Sequence, residues 1–344
     1  MAASLFKRML FDSLNFGFFL SVILLVIYQP DEEQVLNLSQ NSLAFLICVI
    51  IGSFISFGIN KAGIKTLGEL LFAPPHKKVP TGKHVQWFKT FWGVQTFLTV
   101  LLMTILGYFV TEMDLIELLD IRNIENVFRL VDKLMTPNWD VLPDVVWKAI
   151  QSVFIAFMAT LIAVPVAFVL SFISAKNIMG DTPLGFVVYL SARTLFNIMR
   201  SIEPIMWAII FAIWVEFGPF AGMLALLVHS IASLAKQYSE IVECVDEGPI
   251  EGIESTGASF LQTIWFAVVP QIVLPYISFT IYRWDINVRM ATIIGFVGGG
   301  GVGELLLLYQ RQSLWNEVGV VILVIAVIVW VMDNFSAYVR EAIK

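Results

Sequence analysis

Charge is what this sequence has least of. Asp, Glu, Lys and Arg make up 14% of the 344 residues, against 58% hydrophobic residues that include 28 Phe and 10 Trp, and the mean hydropathy is +0.83. A water-soluble chain of this length cannot hide that much apolar surface, so a soluble protein is excluded and a polytopic membrane protein is implied. Cysteine is scarce as well. Cys48 stands in an apolar run and Cys244 in a polar loop, so the pair offers neither a disulfide framework nor metal-ligand spacing. The histidines, His76, His84 and His229, are too scattered for a metal site. Also missing is the apolar–polar alternation of a barrel; apolar runs of about 20 residues recur instead, and these form helices. The formal net charge of −6 decides little, because placement of Lys and Arg matters more than their sum in a membrane protein.

What is present is a succession of membrane-length segments, and the expected architecture is an all-α polytopic protein with about eight spans. They fall near 12–29, 42–60, 91–110, 149–175, 200–217, 217–235, 262–282 and 318–337. Lys7 and Arg8 before the first apolar stretch mimic a signal peptide, but no small-residue cleavage site follows, so an uncleaved first span is expected. The linker 61–89 carries Lys61, Lys65, Lys77, Lys78, Lys83 and Lys89 against Glu69 alone, which places it and the N-terminus on the cytoplasmic side. Arg340 and Lys344 place the C-terminus there too. The acidic stretch 111–147 then lies outside, where the spacing of Leu115, Leu118, Leu119 and Ile121 suits a short amphipathic helix on the outer surface. The organisation read from this is an N-terminal extension, 1–89, with two spans and a basic linker, followed by a transport-type domain, 90–344.

The polar stretch between the sixth and seventh spans stands out. In Glu247–Pro270, Gly248-Pro249 breaks the chain, Ile250–Thr256 forms one short helix, Gly257 ends or bends it, and a second helix starts near Ser259. A plain connecting loop is the alternative. Its surplus of Glu240, Glu243, Asp246, Glu247, Glu251 and Glu254 over Lys236 is unexplained by orientation.

Three further groups carry potential chemistry. Arg193, Asn197 and Arg200 share one helix face, and Glu203 can pair with Arg200 three residues away. Arg283 and Arg289 flank Asp285 and Asn287. Intramembrane arginine is costly and faces a partner, the interface or a cavity. Paired structural charge is one reading, and a polar pathway for an anion the other, since the planar guanidinium suits phosphonate or phosphate oxygens. His229 either hydrogen-bonds a neighbouring helix or meets substrate. The glycines Gly295, Gly298, Gly299, Gly300, Gly301 and Gly303 lack the Lys-Ser/Thr of a phosphate loop and have Glu304 nearby, so an ATP site in this chain is excluded. They make a re-entrant or scoop-like segment through close packing, a hinge, or backbone N–H groups open to an anion. No catalytic constellation and no metal site is found, and nothing points to nucleic acid.

At Glu251-Gly252-Ile253, Gly257 and Ala267-Val268-Val269-Pro270 the spacing resembles the cytoplasmic "EAA" loop of bacterial ABC importer permeases. Glu251, Gly257 and Pro270 hold the pattern, whereas Gly252, Ile253, Ala267 and Val269 depart from it. The stretches Gly218–His229, Gly248–Ile253, Ser255–Ala258, Tyr282–Arg289 and Gly295–Gly298 with Gly303 are similar to the phosphonate-permease (PhnE-like) branch. The resemblance covers roughly 90–344. Glu203-Pro204 departs from that branch, which often has Pro then Glu. The resemblance implies a type I importer permease of the methionine-permease-like fold, paired as a homodimer in the bacterial inner membrane. It also implies two separate ATPase subunits that use ATP and Mg, a periplasmic or lipid-anchored binding protein, and coupling through Glu247, Gly248, Glu251, Gly252, Ile253, Gly257, Ala258 and Pro270. The implied cargo is a phosphonate or a related phosphorus oxyanion. A permease for an amino acid or metal complex, an ATP-independent channel or secondary transporter, and a non-transporting scaffold are the other classes open to such a sequence.

Overall fold

The computed structural model describes residues 2–28, 38–72, 87–111, 114, 120–180 and 182–342, and these are helical with no strand among them. They fall into two compact units, Met1–Asp120 and Ile121–Lys344.

In the first unit, α1 (Ala2–Tyr28) packs on α2 (Leu38–Lys61), with α3 (Leu67–Phe72) and α4 (Phe91–Val110) alongside. The first two helices meet through glycines: a Cβ on Gly52 would lie 2.5 Å from the Ser13 carbonyl, and one on Gly17 would lie 2.7 Å from Val49 Cα. Buried Asp12 accepts from Thr66 Oγ1 at 2.5 Å, from the Gly68 N–H at 2.9 Å and from Gln95 Nε2 at 3.3 Å. A carboxylate in an apolar bundle persists only with such partners. Arg8 pairs with Glu69 at 3.0 Å, so the first part of the basic linker is folded back on α1. Its Lys77, Lys78 and Lys83, with His76 and His84, lie outside the described residues.

The second unit holds α5 (Ile121–Met135), α6 (Leu142–Ile173), α7 (Lys176–Met179), α8 (Pro183–Ser201), α9 (Pro204–Val215) and α10 (Pro219–Val242). After them come α11 (Glu247–Glu254), α12 (Phe260–Thr263), a π-helical turn (Ile264–Val268), α13 (Val269–Ile294), α14 (Val302–Arg311) and α15 (Trp315–Ala342). Helix α6 is the centre. Its buried Ala149, Ala156, Ala159, Ala163 and Ala167 form a small-residue stripe against the alanines and serines of α10 and against α13. In lipid, close backbone approach and dispersion replace the hydrophobic drive between helices. Pro165 leaves α6 continuous.

Among the described residues six segments are long and apolar enough to cross a membrane, and α8 with α9 forms a further pair bent by 90°. With the 27 residues of α1, each of the eight expected spans has a helix or bent pair. Two span boundaries differ from expectation. The span placed at 200–217 is broken at Ile202-Glu203, and its second arm is 12 residues, about 18 Å long. The residue before a proline is pushed out of the helical region, and Glu203 precedes Pro204. The span placed at 262–282 runs on as helix to Ile294, so only the later part of the expected scoop, from Gly295 onward, departs from it. In the acidic stretch an amphipathic helix, α5, exposes Ile121, Val127, Phe128 and Met135, while Leu115, Leu118 and Leu119 of the expected helix lie outside the described residues.

Two contacts pin α10 to α13. The rings of Tyr238 and Tyr276 stack at 3.7 Å, and the Tyr276 hydroxyl donates to the Tyr238 carbonyl at 3.1 Å. Further along, Asn287 Nδ2 donates to Ser230 Oγ at 2.8 Å and to Thr160 Oγ1 of α6 at 2.9 Å.

Candidate functional site

The stretch between α10 and α13 is built as a helix, a glycine turn and a capped helix. Gly248-Pro249 does not break the chain, contrary to expectation. Both lie in the first turn of α11, which starts at Glu247 and ends at Glu254, where a proline loses no intrahelical bond because those N–H groups have no helical acceptor. Gly257 has φ +82° and nothing within 4 Å of a would-be Cβ, so conformation, not space, demands glycine there. Ala258 follows, half-buried, and Ser259 then caps α12 in a capping box, its own N–H donating to Gln262 Oε1 at 2.8 Å. Pro270 has no N–H and its ring presses on the carbonyl four residues back. The chain answers with the π turn just before it, in which the Val269 N–H reaches back to the Ile264 carbonyl.

Much of the acidic surplus is accounted for here. Glu243 accepts from Arg193 Nη1 at 2.6 Å and from the Lys176 N–H at 2.9 Å, and Glu240 lies 3.9 Å from the same arginine. Glu247, Glu251 and Glu254 stay exposed, with Gly248 and Gly252 beside them, and they form no ion pair among the described residues. Ile253 is half-buried. Behind α11 is a cavity of about 340 Å³ lined by Glu247, Glu251, Glu254, Ile250, Phe260 and Thr263.

The arginines divide sharply. Arg193 is held by Glu243 and by the Tyr189 hydroxyl at 3.1 Å. Asn197 Oδ1, on the same face, accepts from Lys236 Nζ at 2.8 Å. Arg289 donates to Asp285 and, at 2.9 Å, to Asp333, so two carboxylates hold it. Asn287 is buried in its bolt between three helices. Arg200 and Glu203 do not pair as helical spacing predicts, because the helix breaks between them; neither makes an ion pair among the described residues. His229 donates from Nδ1 to the Ile202 carbonyl at 3.2 Å, which satisfies the backbone at that break. The charged side chains whose fields reach His229 are Arg283, Glu203 and Arg200. Arg283 is 7% exposed, makes no ion pair among the described residues, and its buried Nε has no hydrogen-bond partner.

The glycine cluster is a tight turn packed against its neighbours. A Cβ on Gly303 would lie 1.9 Å from the Thr292 carbonyl, one on Gly299 2.1 Å from Ile294, and one on Gly295 2.7 Å from Gly303 Cα. Gly298, Gly300 and Gly301 have φ of +81°, +75° and +78°. The N–H groups of Gly298, Gly299, Gly301 and Val302 are engaged by Gly295, Ile294, Gln151 and Ser152, which favours packing over an open anion nest.

Sequence reasoning missed Asp333, the Tyr238–Tyr276 stack and Glu243 as the partner of Arg193. Asp333 carried a signal, an acid at the end of an otherwise uncharged apolar run; the tyrosines carried none.

Comparison with known proteins follows the same lines. Residues 167–343 match the family model described as "Binding-protein-dependent transport system inner membrane component". The chain is 31% identical over 276 residues to the phosphite transport system permease protein of Stutzerimonas stutzeri, covering 80% of this chain and 98% of that one. It is 33% identical over 210 residues to the phosphate-import permease protein of Mycolicibacterium smegmatis, covering 61% of this chain and 39% of that one. Among solved structures, the inward-facing MetNI methionine ABC transporter is similar over 59% of this chain and 96% of that chain, at 19% identity and a TM-score of 0.49.

Proposed function

The chain belongs to the binding-protein-dependent transport system inner membrane components, and from that premise we propose that it is the transmembrane subunit of an ATP-driven importer for phosphorus oxyanions. Phosphonate, phosphite and phosphate esters are the cargo class, in keeping with the names of its relatives. The chain does no chemistry of its own. Two copies pair in the bacterial cytoplasmic membrane with both termini inside, residues 1–89 forming an extension to the transport domain 90–344. Two ATPase subunits use ATP and Mg, and a periplasmic or lipid-anchored binding protein delivers the anion.

The observation that carries this reading is the exposed α11 with its left-handed Gly257. It is an acidic helix projecting from the end of two long helices, with Glu251 presented outward and no ion-pair partner within the described residues. Such a helix suits an ATPase surface. ATP binding would draw the two loops together and open the pathway outward, and hydrolysis would reset it. An aspartate at 257 must adopt a φ that costs an L-residue roughly 1–2 kcal/mol and adds charge at the contact. Gly257→Asp is therefore expected to abolish uptake and substrate-stimulated ATP hydrolysis while the protein still reaches the membrane. Normal uptake by that variant refutes the coupling role. Competition uptake with methylphosphonate, aminoethylphosphonate, phosphite and phosphate in cells carrying the whole complex tests the cargo. Uptake by the chain alone, driven by an ion gradient, would assign it to channels or secondary transporters instead.

A further inference from the structure

We infer that the elbow between α8 and α9 is an oxyanion-binding site whose ligands are Arg283 and Arg200. The inference rests on the transport reading only in taking the bound anion to be the cargo.

The argument is one of missing counter-charge. Arg283 is more than nine-tenths buried, yet no described carboxylate, carbonyl or hydroxyl bonds to it. The side chains that bear on it electrostatically are two phenols, Tyr282 and Tyr238, and another cation, Arg200, with no carboxylate among them. The elbow adds a third positive element, the N-terminal end of the 12-residue α9, which starts four residues after Arg200 at Pro204 and packs on both α10 and α13. Against these stands one described carboxylate, Glu203, exposed and in no ion pair among the described residues. His229 spends its Nδ1 proton on the Ile202 carbonyl, so it holds the elbow's backbone.

The same protein shows how it treats an arginine that serves only as structure. Arg193 is given Glu243 and Glu240, and Arg289 is given Asp285 and Asp333. At the elbow that provision is absent, and two guanidinium forks with a helix N-terminus match a tetrahedral oxyanion: phosphite, phosphonate or phosphate, and equally sulfate. Glu203 is the resident negative group that an incoming anion must displace or be screened from.

The test uses the assembled complex in nanodiscs of phosphatidylcholine, titrated with phosphite, methylphosphonate and sulfate, with methionine as the control of no net charge. Anion-dependent shifts in thermal unfolding and the KM for uptake are read together. The expected result is a shift with the oxyanions and none with methionine. Arg283→Gln abolishes the shift and raises KM about tenfold or more, as loss of a charge-assisted bond implies. Arg283→Lys recovers part of it. Arg200→Gln, at an exposed position where folding is not at stake, weakens binding by a smaller factor. Wild-type shifts and KM in both Arg283→Gln and Arg200→Gln overturn the site. So does a response to phosphatidylglycerol in the nanodisc with none to soluble anions, which would assign the charge to a lipid headgroup. An Arg283-dependent shift in a complex that imports no phosphorus compound leaves the site standing and removes the proposed cargo. Uptake by Gly257→Asp removes the coupling reading without touching the site.

Discussion

Arg283 and Arg289 lie on one helix, α13, two turns or less apart, and could hardly be treated more differently. Arg289 is half-exposed, with a side chain 45% accessible, and is bound by Asp285 and Asp333. Arg283 is buried and bound by nothing described. Burial and satisfaction run in opposite directions here. In a chain selected only to fold, the buried guanidinium would be the one supplied with carboxylates, because an uncompensated charge costs more the further it is from water. The inversion is what separates a fastening from a site.

Stability measurements on four single variants can break that distinction. The largest change is expected for Arg289→Gln, which strands buried Asp285 beside Asp333. A loss of roughly 2 kcal/mol is expected, because Asp285 is buried while solvent reaches Arg289 and Asp333, read as a fall in the melting temperature of the purified protein; an unchanged melting temperature would dissolve the contrast. Arg283→Gln should move the other way, holding or gaining roughly 1 kcal/mol as an unpaired buried charge is removed, even as uptake falls. If it unfolds the protein instead, Arg283 is a fastening too. Arg193→Gln should lose about 1 kcal/mol, since Glu243 keeps the Lys176 N–H and partial solvent as substitutes. Arg200→Gln, exposed and unpaired, should stay within about 0.5 kcal/mol of wild type. The transport readout then reorders the series, with Arg283 first and Arg200 next.

The membrane class and the helix–glycine–helix stretch were legible because they rest on local rules: run length, a glycine between short polar helices, Lys and Arg near span ends. Glycine 257 was readable because only backbone conformation matters there. Partnerships were not readable. The expected Arg200–Glu203 pair assumed an unbroken helix across residues 200–203, although Pro204 already argued that Glu203 leaves the helical region. Arg193 finds its carboxylate on a helix some 50 positions on in the chain, at Glu243, and no spacing rule reaches that far. Gly248-Pro249 was misread because the same dipeptide breaks a helix interior and begins a helix, and only the position of the preceding cap decides which. The long reach of α13 to Ile294 was hidden by Pro270 and Pro275, since the π turn that absorbs the first of them has no composition of its own.

That π turn has a mechanical consequence. Helices α10 and α13 are clamped together at the tyrosine stack and again at Asn287, so a slide of one along the other must break both sets of contacts. The π turn lies between α12 and the first clamp, and it holds one residue more than an α-helical turn would use. The extra residue therefore sits where the helix leaves the fastened part of the pair, on the side of the capped α12 and the left-handed Gly257.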